Sequence, residues 1–233
     1  MTTRRDAWYL VDLALRHSPR ILLHGPPGVG KTYAAMHAEG NHKGVYSITL
    51  TEDTPAAELR GHFIPSGGSF VWHDGPAIRA WREGARLVLN EIGEAGADCL
   101  VFLYAICDDA DFAALTLPTG ETVRPVEGFQ VIATTNELPT VLTPALQDRF
   151  IPSIHITEPH PDALALFGRT AQTVKVTIGN GVTMRQWLAF RSLTGQQIDP
   201  AAAAILAFGE PMAGSVLAAI RIADVRSGDA WTQ

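Results

Sequence analysis

Eight consecutive residues, Gly25-Pro26-Pro27-Gly28-Val29-Gly30-Lys31-Thr32, match the pattern G-x-x-x-x-G-K-[ST] in full and constrain the fold more than any other stretch of the chain. The apolar run Ile21 to His24 before them reads as a buried strand, and Tyr33 to Ala38 after them have helix-forming composition. Strand, glycine loop and helix in that order make a P-loop. Its glycines let consecutive backbone N–H groups turn toward a phosphate, and the helix that follows adds its positive end. Lys31 is expected to reach the β- and γ-phosphates and the Thr32 hydroxyl to ligate Mg²⁺, so the implied ligand is a nucleoside triphosphate, ATP above all. An ordinary glycine-rich turn is the competing reading, and the strand and helix on either side argue against it.

A helix is expected from Ala7 to Arg16, with Ala7, Leu10, Val11 and Ala14 on its apolar face and Ser18-Pro19 as its stop. Strands are expected at Val45–Leu50, at Arg86–Leu89 as a central strand, and at Phe129–Thr134. Helices are expected at Ile78–Glu83, Asp98–Cys107 and Leu142–Phe150, while Ala56–Arg60 follows the second strand after a loop and is given no type. Two hairpins are signalled, one by Ser69–Trp72 between Pro65-Ser66-Gly67-Gly68 and Asp74-Gly75-Pro76, the other around Pro118-Thr119-Gly120-Glu121. Alternating strands and helices predict a mostly parallel sheet covered on both faces. After about Thr157 only helices are expected, at Pro161–Gly168, Thr183–Leu193, Pro200–Phe208 and Met212–Val225.

Three further segments carry chemistry. Arg86-Leu87-Val88-Leu89-Asn90-Glu91 is an apolar strand ending in two polar residues, the form of a Walker B strand. The first of these is usually Asp; Asn90 keeps the size and one acceptor oxygen but lacks the charge that helps hold Mg²⁺. Glu91 is placed to polarise an attacking water as general base. Asn136 ends a strand with an amide suited to orient water near the γ-phosphate, although Asn also ends strands simply because it starts turns. Arg149, in Leu146-Gln147-Asp148-Arg149-Phe150, is a candidate to reach a neighbouring subunit's nucleotide; a surface ion pair with Asp148 or Glu137 is the plainer alternative.

Composition narrows the class. The chain has 233 residues, 46% hydrophobic and 18% charged, which suits a folded protein, and its formal charge of −6 lowers the expectation of nucleic-acid binding without removing it. No run suits a signal peptide or a membrane span, so a cytoplasmic location is expected. Cys99 and Cys107 have no partners at zinc-ligand spacing and are expected to be buried apolar residues.

The ordered set GPPGVGKT, RLVLNE, ATTN and LQDRF resembles the AAA+ ATPases. ELRGHF followed by GGSFVWHDGPAIRAWREGARLVLNEI resembles their MoxR and CbbQ/NorQ branch, which includes relatives of the McrB and midasin motor modules. The likeness covers roughly residues 20 to 157. It implies an α/β fold: a P-loop three-layer αβα core over residues 1–157 and a small all-helical lid over 158–233. It implies Asn136 as sensor 1, Arg149 as an arginine finger and Arg185, in GVTMRQWL, as sensor 2. It further implies a ring, commonly a hexamer, with the hairpins around Phe70 and Trp72 and around Thr119–Thr122 facing its pore; core packing of the two aromatics is the alternative. The expected partners are copies of the chain itself and a client or adaptor protein, of the kind that carries a von Willebrand factor A domain.

Two departures from the family pattern matter. Asn90 implies slow hydrolysis or weakened Mg²⁺ affinity, and the chain ends soon after the lid, so no separate substrate-recognition domain is expected. The leading expectation is an ATP-hydrolysing ring motor that remodels or activates a partner protein. Its rivals are an ATP-gated assembly module with little hydrolysis, and a nucleic-acid motor or GTP-using McrB-like module.

Overall fold

The computed structural model describes residues 7–39, 43–178 and 181–227, and the chain divides into two units. The first joins residues 1–25 to 31–155; the second joins 26–30, the middle of the P-loop, to 156–233. In chain order the first runs α1 (Ala7–His17), β1 (Arg20–His24), α2 (Lys31–His37), β2 (Val45–Thr49), α3 (Ala56–Arg60), β3 (Gly61–Ser66), β4 (Ser69–Asp74), α4 (Pro76–Glu83), β5 (Arg86–Asn90), α5 (Ala97–Ile106), β6 (Leu115–Thr116), β7 (Thr122–Val123), β8 (Gln130–Thr135), α6 (Pro144–Arg149) and β9 (Ser153–His155).

Strands whose residues are apolar in unbroken runs, such as Ile21-Leu22-Leu23, Leu87-Val88-Leu89 and Val131-Ile132-Ala133, are buried on both faces, as a parallel sheet requires. They form one parallel five-stranded sheet in the order β2, β5, β8, β1, β9, flanked by helices. Because all strands run the same way, β1 before the P-loop, β5 and β8 finish at one edge: His24 pairs with Thr135, and Leu89 with Ala133. That edge, beside the point where the order reverses, is where such sheets hold ligands.

Several sequence expectations change here. In α1 the buried residues are Trp8, Val11, Ala14 and Leu15, while Leu10 is exposed. The strand β5 does lie inside the sheet, paired on both sides by β2 and β8, and β8 holds the middle place. The helix expected from Leu142 begins only at Pro144, capped by the Thr143 side chain, because residues 139–141 form a separate 3-10 turn. Four elements have no counterpart among the expectations: α3, only five residues long; β3, whose sequence holds Gly61 and Pro65; β9, three residues long; and the helix Ala171–Thr177 described below. The first hairpin therefore pairs β3 with β4 across Gly67-Gly68. Phe70 on it is 74% exposed, so it is no part of the core, while Trp72 packs edge-on against Phe63 and donates to Asp74 at 2.6 Å. Arg82 of α4 ties the two hairpins together, donating to Asp74 at 2.8 Å and in a two-pronged bond to Glu121 at 2.6 and 2.7 Å.

One buried cation joins the P-loop helix to the Walker B strand. Arg86, 0% exposed, donates to the carbonyls of Ala35 at 3.0 Å and Ala38 at 2.7 Å, at the negative end of α2, and to the Gln130 side chain at 2.7 Å. Among the described residues no carboxylate is a hydrogen-bond partner of Arg86, and burial lowers its pKa to about 10. Arg86→Leu would leave those buried acceptors without donors, a change worth about 3 kcal/mol or more. The expected fall in Tm is about 6–12 °C, read by thermal unfolding; a fall of under about 2 °C would show that Arg86 is not the fastener described here.

The second unit is helical: α7 (Pro161–Ala165), α8 (Ala171–Thr177), α9 (Met184–Gly195), α10 (Pro200–Phe208) and α11 (Glu210–Ser227). Trp187 is its hub, meeting Phe167, Phe190 and Phe208 edge-on at 5.2 to 5.9 Å and donating to Thr177 Oγ1 at 2.9 Å. Thr183 and Gln186 form a capping box at the start of α9. Within this unit the P-loop backbone is gripped closely: the His160 N–H donates to the Val29 carbonyl at 2.8 Å. A Cβ on Gly28 would stand 2.9 Å from Thr183 Cβ, and one on Gly30 would stand 2.8 Å from His160 Cβ. Both glycines also have positive φ, +76° and +106°, so no other residue suits either place.

Candidate functional site

The carboxyl edge of the sheet gathers Lys31, Thr32, Asn90, Glu91 and Asn136 from three segments far apart in sequence. Lys31 opens α2 and is only 6% exposed. Its ammonium donates to the Gly25 carbonyl at 2.8 Å and to Asn136 Oδ1 at 2.8 Å. The Asn136 amide nitrogen in turn donates to Glu91 Oε1 at 2.7 Å. The amide orientation follows from these partners: its oxygen meets a group that only donates, and its nitrogen meets an oxygen that only accepts. Lysine, amide and carboxylate thus form one chain of hydrogen bonds reaching from the P-loop to the end of β5.

Glu91 leaves the strand in the left-handed region, with φ 54°, as the backbone turns into a 3-10 segment over Ile92–Glu94. A non-glycine residue there carries about 1–3 kcal/mol of strain, the kind of cost that collects where a side chain must be aimed. The turn directs the carboxylate to Asn136.

Asn90 is oriented as firmly. Its Oδ1 accepts from the Thr32 hydroxyl at 2.9 Å and from the Thr134 hydroxyl at 3.2 Å, while its amide nitrogen donates to Ser47 Oγ at 3.0 Å. The oxygen therefore faces the P-loop threonine. Two hard oxygen donors, a hydroxyl and an amide carbonyl, suit Mg²⁺, which takes oxygen ligands and keeps several of its waters. Ser47 and Thr134 were missed by sequence reasoning. Thr134 lay in view within the ATTN segment, but Ser47 sits mid-strand and only the pairing of β2 with β5 brings it alongside.

Arg149 lies outside this cluster, and Arg185 belongs to the helical unit. Arg149, at the end of α6, pairs with Asp108 at 3.3 Å rather than with Asp148 or Glu137. Arg185 is exposed in the first turn of α9, where the helix's positive end gives a cation no help. Beside the P-loop, His24 is buried and stacks on His155 with ring centres 4.8 Å apart and planes 5° off parallel. Burial above all, with the charges of His155 and Lys31, holds its pKa below the usual 6.5. Cys99 and Cys107 are buried, and burial pushes their thiols up to about 11 and about 12, so both are unreactive packing residues. Among the described residues no cluster of three or more His, Cys, Asp or Glu could hold a metal, and no helix is long and apolar enough to cross a membrane.

Residues 20–150 match the AAA domain family, dynein-related subfamily. Among curated relatives, Protein NorQ of Paracoccus denitrificans is 35% identical over 151 residues, covering 63% of this chain and 56% of NorQ. Denitrification regulatory protein NirQ of Pseudomonas aeruginosa is 35% identical over 146 residues, covering 60% of this chain and 55% of NirQ. The aligned part thus spans little more than half of each relative. Midasin of Giardia intestinalis is 36% identical over 108 residues, which are 46% of this chain and 2% of that one. A solved Cytophaga hutchinsonii structure, assigned as an ATPase, superposes with a TM-score of 0.50 at 21% identity, covering 72% of this chain and 50% of its own; that likeness concerns the fold.

Proposed function

Since the chain belongs to the AAA domain family, dynein-related subfamily, and so to the nucleotide-binding proteins, we propose that it hydrolyses ATP between the subunits of a ring and uses the cycle to remodel or activate a partner protein. The observation that carries this reading is the hydrogen-bonded chain Lys31, Asn136, Glu91 at the carboxyl edge of the sheet, beside the Thr32–Asn90 pair.

In this reading the backbone amides of the loop from Gly25 to Lys31 gather the phosphate oxygens, and the Lys31 ammonium exchanges its bond to Asn136 for the β- and γ-phosphates. Asn136, released from Lys31, keeps its amide nitrogen on Glu91 and so holds that carboxylate in place. Glu91 accepts the proton of the attacking water. Thr32 and Asn90 would hold Mg²⁺, which when bound neutralises charge on the phosphate oxygens. Arg149 serves the nucleotide of the adjacent subunit as an arginine finger, and Arg185 opens the helix that reports the nucleotide to the lid. The exposed Phe70 and its hairpin touch the client, and the relative NirQ is named a denitrification regulatory protein.

A site completed by a neighbour makes activity depend on assembly. Turnover per chain is expected to rise with protein concentration, in step with the appearance of ring-sized particles under ATP analogue. A turnover per chain that stays constant while the protein is monomeric would rule the reading out.

Asn90 supports a second reading, an ATP-gated module that seldom cleaves. The two part on Asn90→Asp. A motor already cleaving well with the amide gains less than about threefold, whereas a gate gains tenfold or more, since one added charge at a metal site is worth on the order of 1–2 kcal/mol.

A further inference from the structure

Asp108 lies in the turn after α5, outside every motif of the nucleotide site. Its carboxylate accepts from Arg149 Nη2 at 3.3 Å. The same guanidinium is fixed at two more points: Nε donates to the Tyr104 carbonyl at 3.1 Å and Nη1 to the Ala145 carbonyl at 2.9 Å. Its carbon stands 5.7 Å from the centre of the Tyr104 ring. Among the described residues each nitrogen thus has one bond, and one N–H on each terminal nitrogen is left for another acceptor.

Arg20 holds both ends of this pair from behind. Its Nε donates to the Arg149 carbonyl at 3.1 Å, its Nη1 to the Asp108 carbonyl at 2.8 Å and its Nη2 to the Asp109 carboxylate at 3.2 Å. The Tyr104 hydroxyl lies 3.0 Å from Thr143 Oγ1, at the cap of α6, so α5 and α6 are joined at both ends of the shorter helix. Stability alone does not call for the pair: an ion pair with side chains 25% and 40% exposed contributes little.

From this arrangement we infer that Asp108, backed by Arg20, is a positioning residue that orients Arg149 toward a neighbouring subunit's nucleotide before that neighbour arrives. The inference rests on the proposed role of Arg149 in trans. A free arginine side chain loses much rotamer freedom when it docks on phosphate, and one held beforehand loses little. The gain belongs to the chemical step, where a small displacement of a charged group is felt most. Asp108 itself touches no nucleotide.

The test measures kcat and KM for ATP on the assembled full-length protein carrying Arg149→Ala, Asp108→Ala, Asp108→Asn or Arg149→Ala with Asp108→Ala. Arg149→Ala is expected to lower kcat about 1,000-fold. Asp108→Ala is expected to lower it about tenfold with KM within twofold of wild type and Tm nearly unchanged, and Asp108→Asn, which keeps an acceptor, to recover most of that loss. The double variant should match Arg149→Ala alone, because Asp108 acts only through the arginine. Losses that multiply in the double variant, wild-type kcat in Asp108→Ala, or a raised kcat there would each overturn the inference. Should Arg149→Ala itself leave kcat unchanged, the finger reading fails; should it act while Asp108→Ala does not, only the positioning role fails.

Discussion

Replacing Glu91 with Gln is expected to leave ATP binding intact and to slow its hydrolysis by about 100-fold to about 10,000-fold. The substitution isolates one property. Gln offers the same carbonyl oxygen to the Asn136 amide, now 2.7 Å away, and occupies the same left-handed backbone, so neither geometry nor strain changes. Only the ability to take a proton is lost. Phosphate release and equilibrium nucleotide binding, measured on the same preparation, separate the two effects. Undiminished phosphate release would move the base role to another residue.

Lys31→Met is the second large effect, and it falls on binding. Lys31 is buried with its ammonium between a carbonyl and an amide oxygen, and Met fills nearly the same volume without the charge. Removing one partner of a buried charge pair costs about 2–5 kcal/mol, so affinity for ATP should fall by between about 30-fold and about 5,000-fold. The consequence is visible in unfolding. ATP at about 100 times its Kd stabilises the folded wild type by about 2.7 kcal/mol, which for a chain of this size raises Tm by about 5–11 °C. Lys31→Met should show almost none of that rise, measured against its own unfolding temperature without nucleotide.

The parts of this site that sequence revealed are those whose meaning is local. The P-loop is eight contiguous residues, and the burial of Ile21, Leu22 and Leu23 before it follows from an unbroken apolar run. The Walker B strand and the strand ending in Asn136 were legible for the same reason. What sequence withheld depends on pairing at a distance. Ser47 orients Asn90 only because β2 lies beside β5, and Asp108 meets Arg149 only because α5 and α6 end at one place. The strand β3 was hidden by its own Gly61 and Pro65, residues that speak against a strand unless, as here, it forms one arm of an exposed hairpin. The short strand β9 was hidden by having three residues, and its place at the sheet edge comes from pairing with β1. The left-handed turn at Glu91 has no sequence signature at all, since glutamate rarely adopts it.

Asn90 shows how far residue identity alone can mislead. In sequence it is a lost charge; in the structure it is an amide whose oxygen is aimed at Thr32 by a serine behind it and a threonine beside it. The oxygen that a metal would use is still presented, and only the charge is missing.

Every role proposed for this site requires a triphosphate gathered by the loop that Lys31 completes. Calorimetric titration of the purified chain with ATP in the presence of magnesium tests this most directly. One nucleotide bound per chain, with the heat largely abolished in Lys31→Met, is the predicted result. A wild-type chain that takes up no nucleotide, or a methionine variant that binds as tightly as its parent, would contradict it.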